Sequence, residues 1–458
     1  MMSGLGIFAT AALLAGCGSA AGGTTPTQQA QGQTTPASNN QGPVEIAFWH
    51  AMGGGLEPVI QELVSHFNST HPNVHVTATF QGNYDDELNK FRQSGKEDGP
   101  DVIQVYDIGT RYMIDSGRIV PMQQFIDQSQ FDLSKFEPNV LGYYSVDNKL
   151  YSMPFNTSNP VLYYNKDAFQ KAGLDPNKPP RTYSEFAQDA QKLTVKNAAG
   201  TTTQYGAGIA IYGWFFEQEL AEADALFADN NNGRTSRATA AVFNQSAGVN
   251  FVNWWKSMID QGSMANLGRN TADTQKAFED GKIAMTLDST GGLTPIVDAV
   301  GNKFKVGVGY LPKPDNVPQD KGGVIIGGAS LWITNSHPDK EEAAWEFVSW
   351  LSQPEQQALW HAKTGYFATR TDAYDQPIAQ QFHQKYPQLE VAINQLHDTK
   401  LDYATQGALV GTMTQARQEV ESAIESVLGG QQPTQQALDQ AAQQISSQIK
   451  QYNLQTGK

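Results

Sequence analysis

Two kinds of pattern alternate along most of the chain. Short apolar runs bounded by turn residues read as strands: Val44–His50, Val74–Phe80, Asp101–Asp107 and Val161–Tyr164. Between them apolar residues recur at helical spacing, first Leu56, Val59, Ile60, Leu63, Val64 and Phe67. Strand, helix and strand in this order predict an α/β fold with helices packed on a parallel sheet. The run Val161–Tyr164 is apolar on every position, as in a strand buried on both faces. Asn165-Lys166-Asp167 stops it, and a short helix follows with Gly173 as its C-terminal stop. Thr182-Tyr183-Ser184-Glu185 has the form of a capping box opening a helix through Leu193. Further strands are expected at Tyr205–Tyr212, Ile283–Leu287 and Lys305–Leu311, and helices at Asp339–Leu351 and Pro354–His361. Two helices finish the chain: one with Met413, Ala416, Val420, Ala423 and Val427 on one face, the other a Gln/Ala-rich stretch from Thr434 to Tyr452.

The first 42 residues break this pattern. Met1 to Ala15 is apolar, rich in Gly and Ala, and too short to span a bilayer comfortably. It fits a signal-peptide core before a small-residue cleavage site. Leu14-Ala15-Gly16-Cys17 resembles the lipobox of bacterial lipoproteins, which implies lipidation at Cys17, the only cysteine. No Lys or Arg precedes the apolar run, so the start lies upstream or the signal is atypical. Gly18 to Gly42 holds only small, polar and Pro residues and is expected to be a disordered tether. Residues 1–17 are thus assigned to signal and lipobox, and 18–42 to the tether.

Charge and composition narrow the function. The net charge of −15 and pI near 4.9 argue against sequence-independent binding to nucleic acid or an anionic membrane surface. One cysteine allows no intrachain disulfide, and the eight His are scattered, without metal-ligand spacing. No cofactor is expected. A glycosidase using Asp107 with Glu217 or Asp288 would need two carboxylates at a set separation, and no motif supplies such a pair.

Candidate ligand contacts come from position. Ligands of open α/β sheets sit beyond the carboxyl ends of strands. Asp107 ends one such strand, and Tyr84 follows a turn at Gly82-Asn83. Pro154 to Asn159 opens the buried strand with hydroxyl and amide side chains, Ser158 among them. Gly327 and Gly328 interrupt an apolar run, which suggests close backbone approach or a hinge. Gly53-Gly54-Gly55 before a helix is a weak anion-site signal, since it lacks the Lys-Ser/Thr of a phosphate-binding loop.

The segment PFNTSNPVLYYNKDAFQKAGLDP, from Pro154 to Pro176, resembles one in the sn-glycerol-3-phosphate-binding proteins of bacterial ABC importers. These belong to the extracellular solute-binding family that also contains maltose-binding proteins. Val324–Trp332 and Lys363–Tyr366 are two further matches, and the likeness runs from about Val44 to Tyr452. The resemblance implies a two-lobed periplasmic-binding-protein fold, maltose-binding-protein-like, with a hinge and a ligand cleft between lobes. It implies an N-terminal lobe of residues 43–157 and 330–368, and a C-terminal lobe of 158–329 and 369–458. It implies no enzyme, but a monomeric binding lipoprotein. The protein would be held outside the cytoplasmic membrane or in the periplasm by its lipid anchor. It would deliver a small hydroxylated solute to the permease subunits of an ABC importer. The solute is expected to be glycerol-3-phosphate or a glycerophosphodiester, with a neutral sugar or oligosaccharide as the alternative.

By the same resemblance Tyr84, Asp107, Ser158, Trp214, Ser289 and Tyr366 contact the ligand, with backbone N–H groups at Gly327 or Gly328. Four departures are visible. Asp107 is one methylene shorter than the Glu usual in relatives. Ile211 stands where relatives carry a second tryptophan. Asp288 replaces a small residue beside Ser289. Leu409 stands where relatives carry the phosphate-binding arginine, while Arg417 aligns with an arginine outside the ligand site. Losing that cation and gaining the Asp288 carboxylate are expected to disfavour a terminal phosphate monoester.

Overall fold

In a computed structural model, residues 42–457 are described; Cys17 and tether residues 18–41 lie outside them. Two sheets organise the described chain. The larger runs in the order Val74–Phe80, Val44–His50, Val102–Tyr106, Gly327–Thr334 and Ile119–Val120, with Met153–Ser158 also paired to Gly327–Thr334. Its first three strands are parallel, as the strand–helix–strand pattern requires. Gly327–Thr334 enters antiparallel to all its neighbours. The helix Glu57–Thr70 buries Val59, Ile60, Leu63, Val64 and Phe67, the stripe read from the sequence.

The second sheet centres on Pro160–Asn165, flanked by Met285–Ser289 and Val306–Gly309. All six residues of the central strand are buried. Both flanking strands run antiparallel to it, so a parallel arrangement does not extend to this sheet. Pro160 sits at the first position of the strand, where the missing N–H costs no ladder bond. Only Asn159 separates this strand from Met153–Ser158 of the larger sheet. The chain therefore passes from one sheet to the other in a single residue.

Gly327–Thr334 and Tyr366–Phe367 return to the same place. Gly327 is paired with Ser158 and Gly328 with Thr157. The N–H of Phe367 donates to Thr157 O at 2.8 Å. Only glycine fits at residue 328: φ is +96°, and a Cβ would lie 1.8 Å from Asn156 O. The expected strand over Tyr205–Tyr212 shrinks to Ala207–Gly208. There a Cβ at Gly206 would lie 1.8 Å from Ala190 O, so the backbone presses on the neighbouring helix, and its pairing is limited to short contacts with Ile283 and Met264–Ala265. The helices Gly213–Glu222, Met413–Leu428 and Thr434–Gln455 complete the side that carries the smaller sheet.

Candidate functional site: a cleft between the two sheets

Where the chain crosses between sheets there is a cavity of about 620 Å³. Nine of the ten expected ligand residues line it: Tyr84, Asp107, Ser158, Trp214, Asp288, Ser289, Gly327, Gly328 and Tyr366. The tenth, Leu409, does not. It is 2% exposed, packed in the interior, and its N–H donates to Asn232 O at 2.8 Å. Two arginines line the cavity, Arg269 at its rim and the buried Arg417. The expectation that the cleft lacks a cation is therefore corrected: the buried cation comes from the helix Met413–Leu428, not from the loop before it.

Arg417 is 7% exposed and held from two sides. Its Nε donates to Glu217 Oε1 at 2.6 Å and its Nη2 to Glu217 Oε2 at 3.0 Å. Nη2 also reaches Asp107 Oδ2 at 3.4 Å. Among the described residues Nη1 has no hydrogen-bond acceptor, and Arg417 lines the cavity. Burial pushes both carboxyls up, and Arg417 pulls them back. Burial opposes the arginine's own charge, but Glu217 and Asp107 hold it firmly protonated. The close approach has a local cause: a Cβ on Gly213 would lie 2.9 Å from Arg417 Cβ.

Tyr84 opens the helix Tyr84–Gln93 behind the Asn83 capping box. Its ring stacks on Tyr106 at 5.3 Å between centroids. Its hydroxyl accepts from Asn156 Nδ2 at 2.8 Å, and Asn156 Oδ1 accepts from Gln104 Nε2 at 2.6 Å. This relay orients the Tyr84 hydroxyl and leaves it un-ionised, its pKa pushed well up by burial. Tyr366 follows Gly365, the left-handed cap of the helix Pro354–Thr364, and its ring stacks on Trp360. Tyr366 adds to the upward push on the Tyr84 hydroxyl.

The far wall is aromatic and acidic. The Trp214 indole lies against Gly327, where a Cβ would lie 2.6 Å from Cζ2. Its Nε1–H has no partner among the described residues. Ile211 is buried away from the cavity, but Tyr212 lines it, with its ring 6.2 Å from Trp214. The second aromatic wall is thus displaced by one residue. Asp288 and Ser289 end the strand Met285–Ser289. Ser289 N–H donates to Asp288 Oδ1 at 2.7 Å, and Ser289 Oγ accepts from Gly291 N–H at 3.1 Å. Burial pushes the Asp288 carboxyl up to about 7, with Ser289 N–H opposing and Glu279 reinforcing. Arg269, Asn270 and Thr271 complete the rim. Arg269 Nη2 is bound to Glu425 Oε2 at 2.6 Å.

Asn83, Tyr106, Tyr212, Phe215, Arg269, Asn270 and Thr271 line the wall without having been expected there, and Arg417, read as an arginine outside the ligand site, lines it too. Arg417 carried a signal: it stands one position from Ala416 and three from Val420, on the apolar face of its helix. A charge on a buried face demands a partner.

A chain that crosses repeatedly between two sheets over a polar cleft is built to enclose a small solute. The match to bacterial extracellular solute-binding proteins covers residues 62–391, and this chain belongs to that family. It is the solute-binding component of an ABC importer, acting in the extracellular or periplasmic space, and the family is non-enzymatic. The sn-glycerol-3-phosphate-binding periplasmic protein of Escherichia coli (strain K12) is 37% identical over 400 residues, spanning 84% of this chain and 88% of that one. UgpB from Mycobacterium tuberculosis, solved in complex with glycerophosphocholine, shares the fold. Its TM-score is 0.74 at 22% identity, covering 90% of this chain and 100% of that one. The sugar-binding protein MalE from Xanthomonas citri also has a TM-score of 0.74, at 23% identity over 91% of this chain and 100% of its own.

Proposed function

We propose that the protein captures glycerol-3-phosphate or a glycerophosphodiester, with preference for the diester, and hands it to the importer's permease after its lobes close. The carrying observation is Arg417, which lines the cavity with Nη1 unbonded among the described residues and its other donors engaged by Glu217 and Asp107. An arginine so compensated offers strong donors but little unspent charge. A phosphate monoester carries nearly two negative charges at neutral pH, whereas a diester carries one. The preference against a monoester therefore rests on a neutralised arginine, not a missing one. In this reading Tyr84, Asp107, Ser158, Ser289 and Tyr366 take the glycerol hydroxyls. Gly327 and Gly328 offer backbone N–H groups, and Trp214 forms a flat wall.

A neutral sugar is the second reading, favoured by stacked Tyr84 and Tyr106 beside carboxylates that accept hydroxyls. A thermal-shift screen of glycerol-3-phosphate, glycerophosphodiesters and oligosaccharides separates the two. A ligand bound only by the native state, at a hundredfold excess over Kd, stabilises it by about 2.7 kcal/mol. Stabilisation by oligosaccharides alone rejects the phosphate reading. Lobes of residues 43–157 with 330–368, and 158–329 with 369–458, are supported by the separate sheets. Small-angle scattering should then show compaction on binding. The monomer is anchored through a lipid on Cys17, and mass spectrometry of protein from native membranes should find the acylated residue. An unmodified Cys17 in secreted protein rejects the anchor.

A further inference from the structure

We propose that His361 is a positioning residue for ligand binding: with His383 behind it, it fixes the Tyr366 backbone and so places the Tyr366 hydroxyl in the cavity. This rests on the reading of Tyr366 as a ligand contact. Tyr366 lines the cavity, yet no regular element carries it. It follows Gly365, which ends the helix Pro354–Thr364 at a φ of +82°. Its N–H donates to Thr364 Oγ1 at 3.3 Å. Its carbonyl oxygen meets the ring of His361, in the last turn of that helix, with Nδ1 at 2.5 Å. His361 Nε2 in turn lies 2.7 Å from Nε2 of His383, on the helix Pro377–Lys385. His361 is fully buried and His383 half-buried.

These contacts leave one arrangement of protons. A carbonyl oxygen only accepts, so His361 Nδ1 carries the hydrogen. A neutral imidazole has one donor and one acceptor, so Nε2 accepts and His383 Nε2–H donates. The partner of one ring nitrogen thus sets the state of the other. Burial keeps the pair neutral. It pushes the His361 imidazole down to about 4, with Tyr366 O opposing and His383 reinforcing. It also lowers His383, against the pull of Glu390. The rings of Tyr374 and Phe382 stand edge-on to His361, each 5.2 Å away between centroids. Beyond His361 the segment has little slack. The Tyr366 ring stacks on Trp360 at 5.9 Å, and Phe367 N–H bonds Thr157 O. Across the cavity, a Cβ on Gly291 would lie 3.3 Å from Tyr366 Cζ. A phenol hydroxyl stands far from its own Cα, so a small turn of the backbone at 366 swings it out of hydrogen-bond range.

Calorimetry with glycerophosphoglycerol on His361→Leu, His361→Gln and His361→Asn tests this. Leucine fills the site without polar atoms. The asparagine amide nitrogen falls where Nδ1 stands and donates to Tyr366 O. The glutamine amide falls where Nε2 stands and meets only His383. Leucine should weaken binding at least about tenfold, asparagine should restore it to within about threefold of the wild type, and glutamine should not restore it. Helix propensity runs the other way, with Leu and Gln above Asn, so losses that follow propensity overturn the proposal. In a Tyr366→Phe background His361→Leu should cost less than about threefold, since the hydroxyl it places is gone. The same loss in both backgrounds overturns the proposal as well. Nitrogen-15 spectra of the ligand-free protein at about pH 7.5 should show His361 as the Nδ1–H tautomer, and an Nε2–H tautomer overturns the proposal whatever the ligand. Undiminished binding by Tyr366→Phe overturns the reading of Tyr366 and the proposal with it. Absence of binding by the wild type overturns the phosphodiester reading alone, and the tautomer then decides on His361.

Discussion

The two ends of the cleft solve the same electrostatic problem differently. At one end Arg417, Glu217 and Asp107 are buried together, each charge answered within about a hydrogen bond's length. At the other, Asp288 has, among the described residues, a single backbone donor and no counter-ion. The first end is complete without ligand, so its charges hold the walls in place and lend donors. The second end is incomplete, so its charge is available to discriminate among ligands. A carboxylate that the protein fails to satisfy is more informative about the solute than one that it satisfies.

The largest effect should come from breaking the complete end. Arg417→Met leaves Glu217 and Asp107 buried and unpaired. Removing one partner of a buried ion pair costs about 3–5 kcal/mol. Urea unfolding at pH 7.5 should show that loss, and every ligand should lose affinity because the cleft wall relaxes. A loss below about 1 kcal/mol would show that water already compensates these carboxylates and that the two ends do not differ.

The incomplete end should respond with the opposite sign. The Asp288 carboxyl stands near 7 in the folded chain, against about 3.9 unfolded. Between those values the folded state binds more protons than the unfolded one, so stability falls as pH rises. The cost is absent below about pH 4 and complete above about pH 7. Asp288→Asn should therefore stabilise the ligand-free protein at pH 8, on the order of 2 kcal/mol after allowing for cleft water, and leave it unchanged at pH 4. Chemical denaturation across that range measures it. An asparagine variant that is less stable at pH 8 would show that an unseen partner serves the carboxylate.

How much of this was legible in the sequence depended on how local the signal was. Tyr84, Asp107, Ser158 and Tyr366 sit at ends of strands or helices, where a short motif fixes both the element and the direction of the side chain. Arg417 was misjudged because the family resemblance put the ligand cation at Leu409 and matched Arg417 to an arginine outside the ligand site. Only the fold shows that the next helix reaches the cavity first, through the space left by Gly213. The helical stripe of Met413, Ala416 and Val420 already placed Arg417 on the buried face, so periodicity held the better clue. Strand direction was hidden for a related reason. Apolar runs such as Val161–Tyr164 report burial on two faces, but not the orientation of partners more than a hundred residues away, Met285–Ser289 and Val306–Gly309.

The smallest effect sharpens the comparison at the complete end. Tyr106 lies beside Asp107, and its hydroxyl bonds both Asp85 Oδ1 and Thr414 Oγ1 at 2.6 Å. Thr414 is three residues before Arg417 on the same helix, so this hydroxyl ties the strand that carries Asp107 to the helix that carries its arginine. Tyr106→Phe removes the tie but keeps the ring stacked on Tyr84. Asp85 is exposed and can rehydrate, so the expected cost is that of one ordinary hydrogen bond, about 1 kcal/mol in urea unfolding. If the triad is rigid by itself, the affinity for glycerophosphoglycerol should drop by less than about fivefold. If the drop instead matches that of Arg417→Met, the hydroxyl tie rather than the ion pairs holds this end together, and its contrast with Asp288 is one of hydrogen bonding, not of charge.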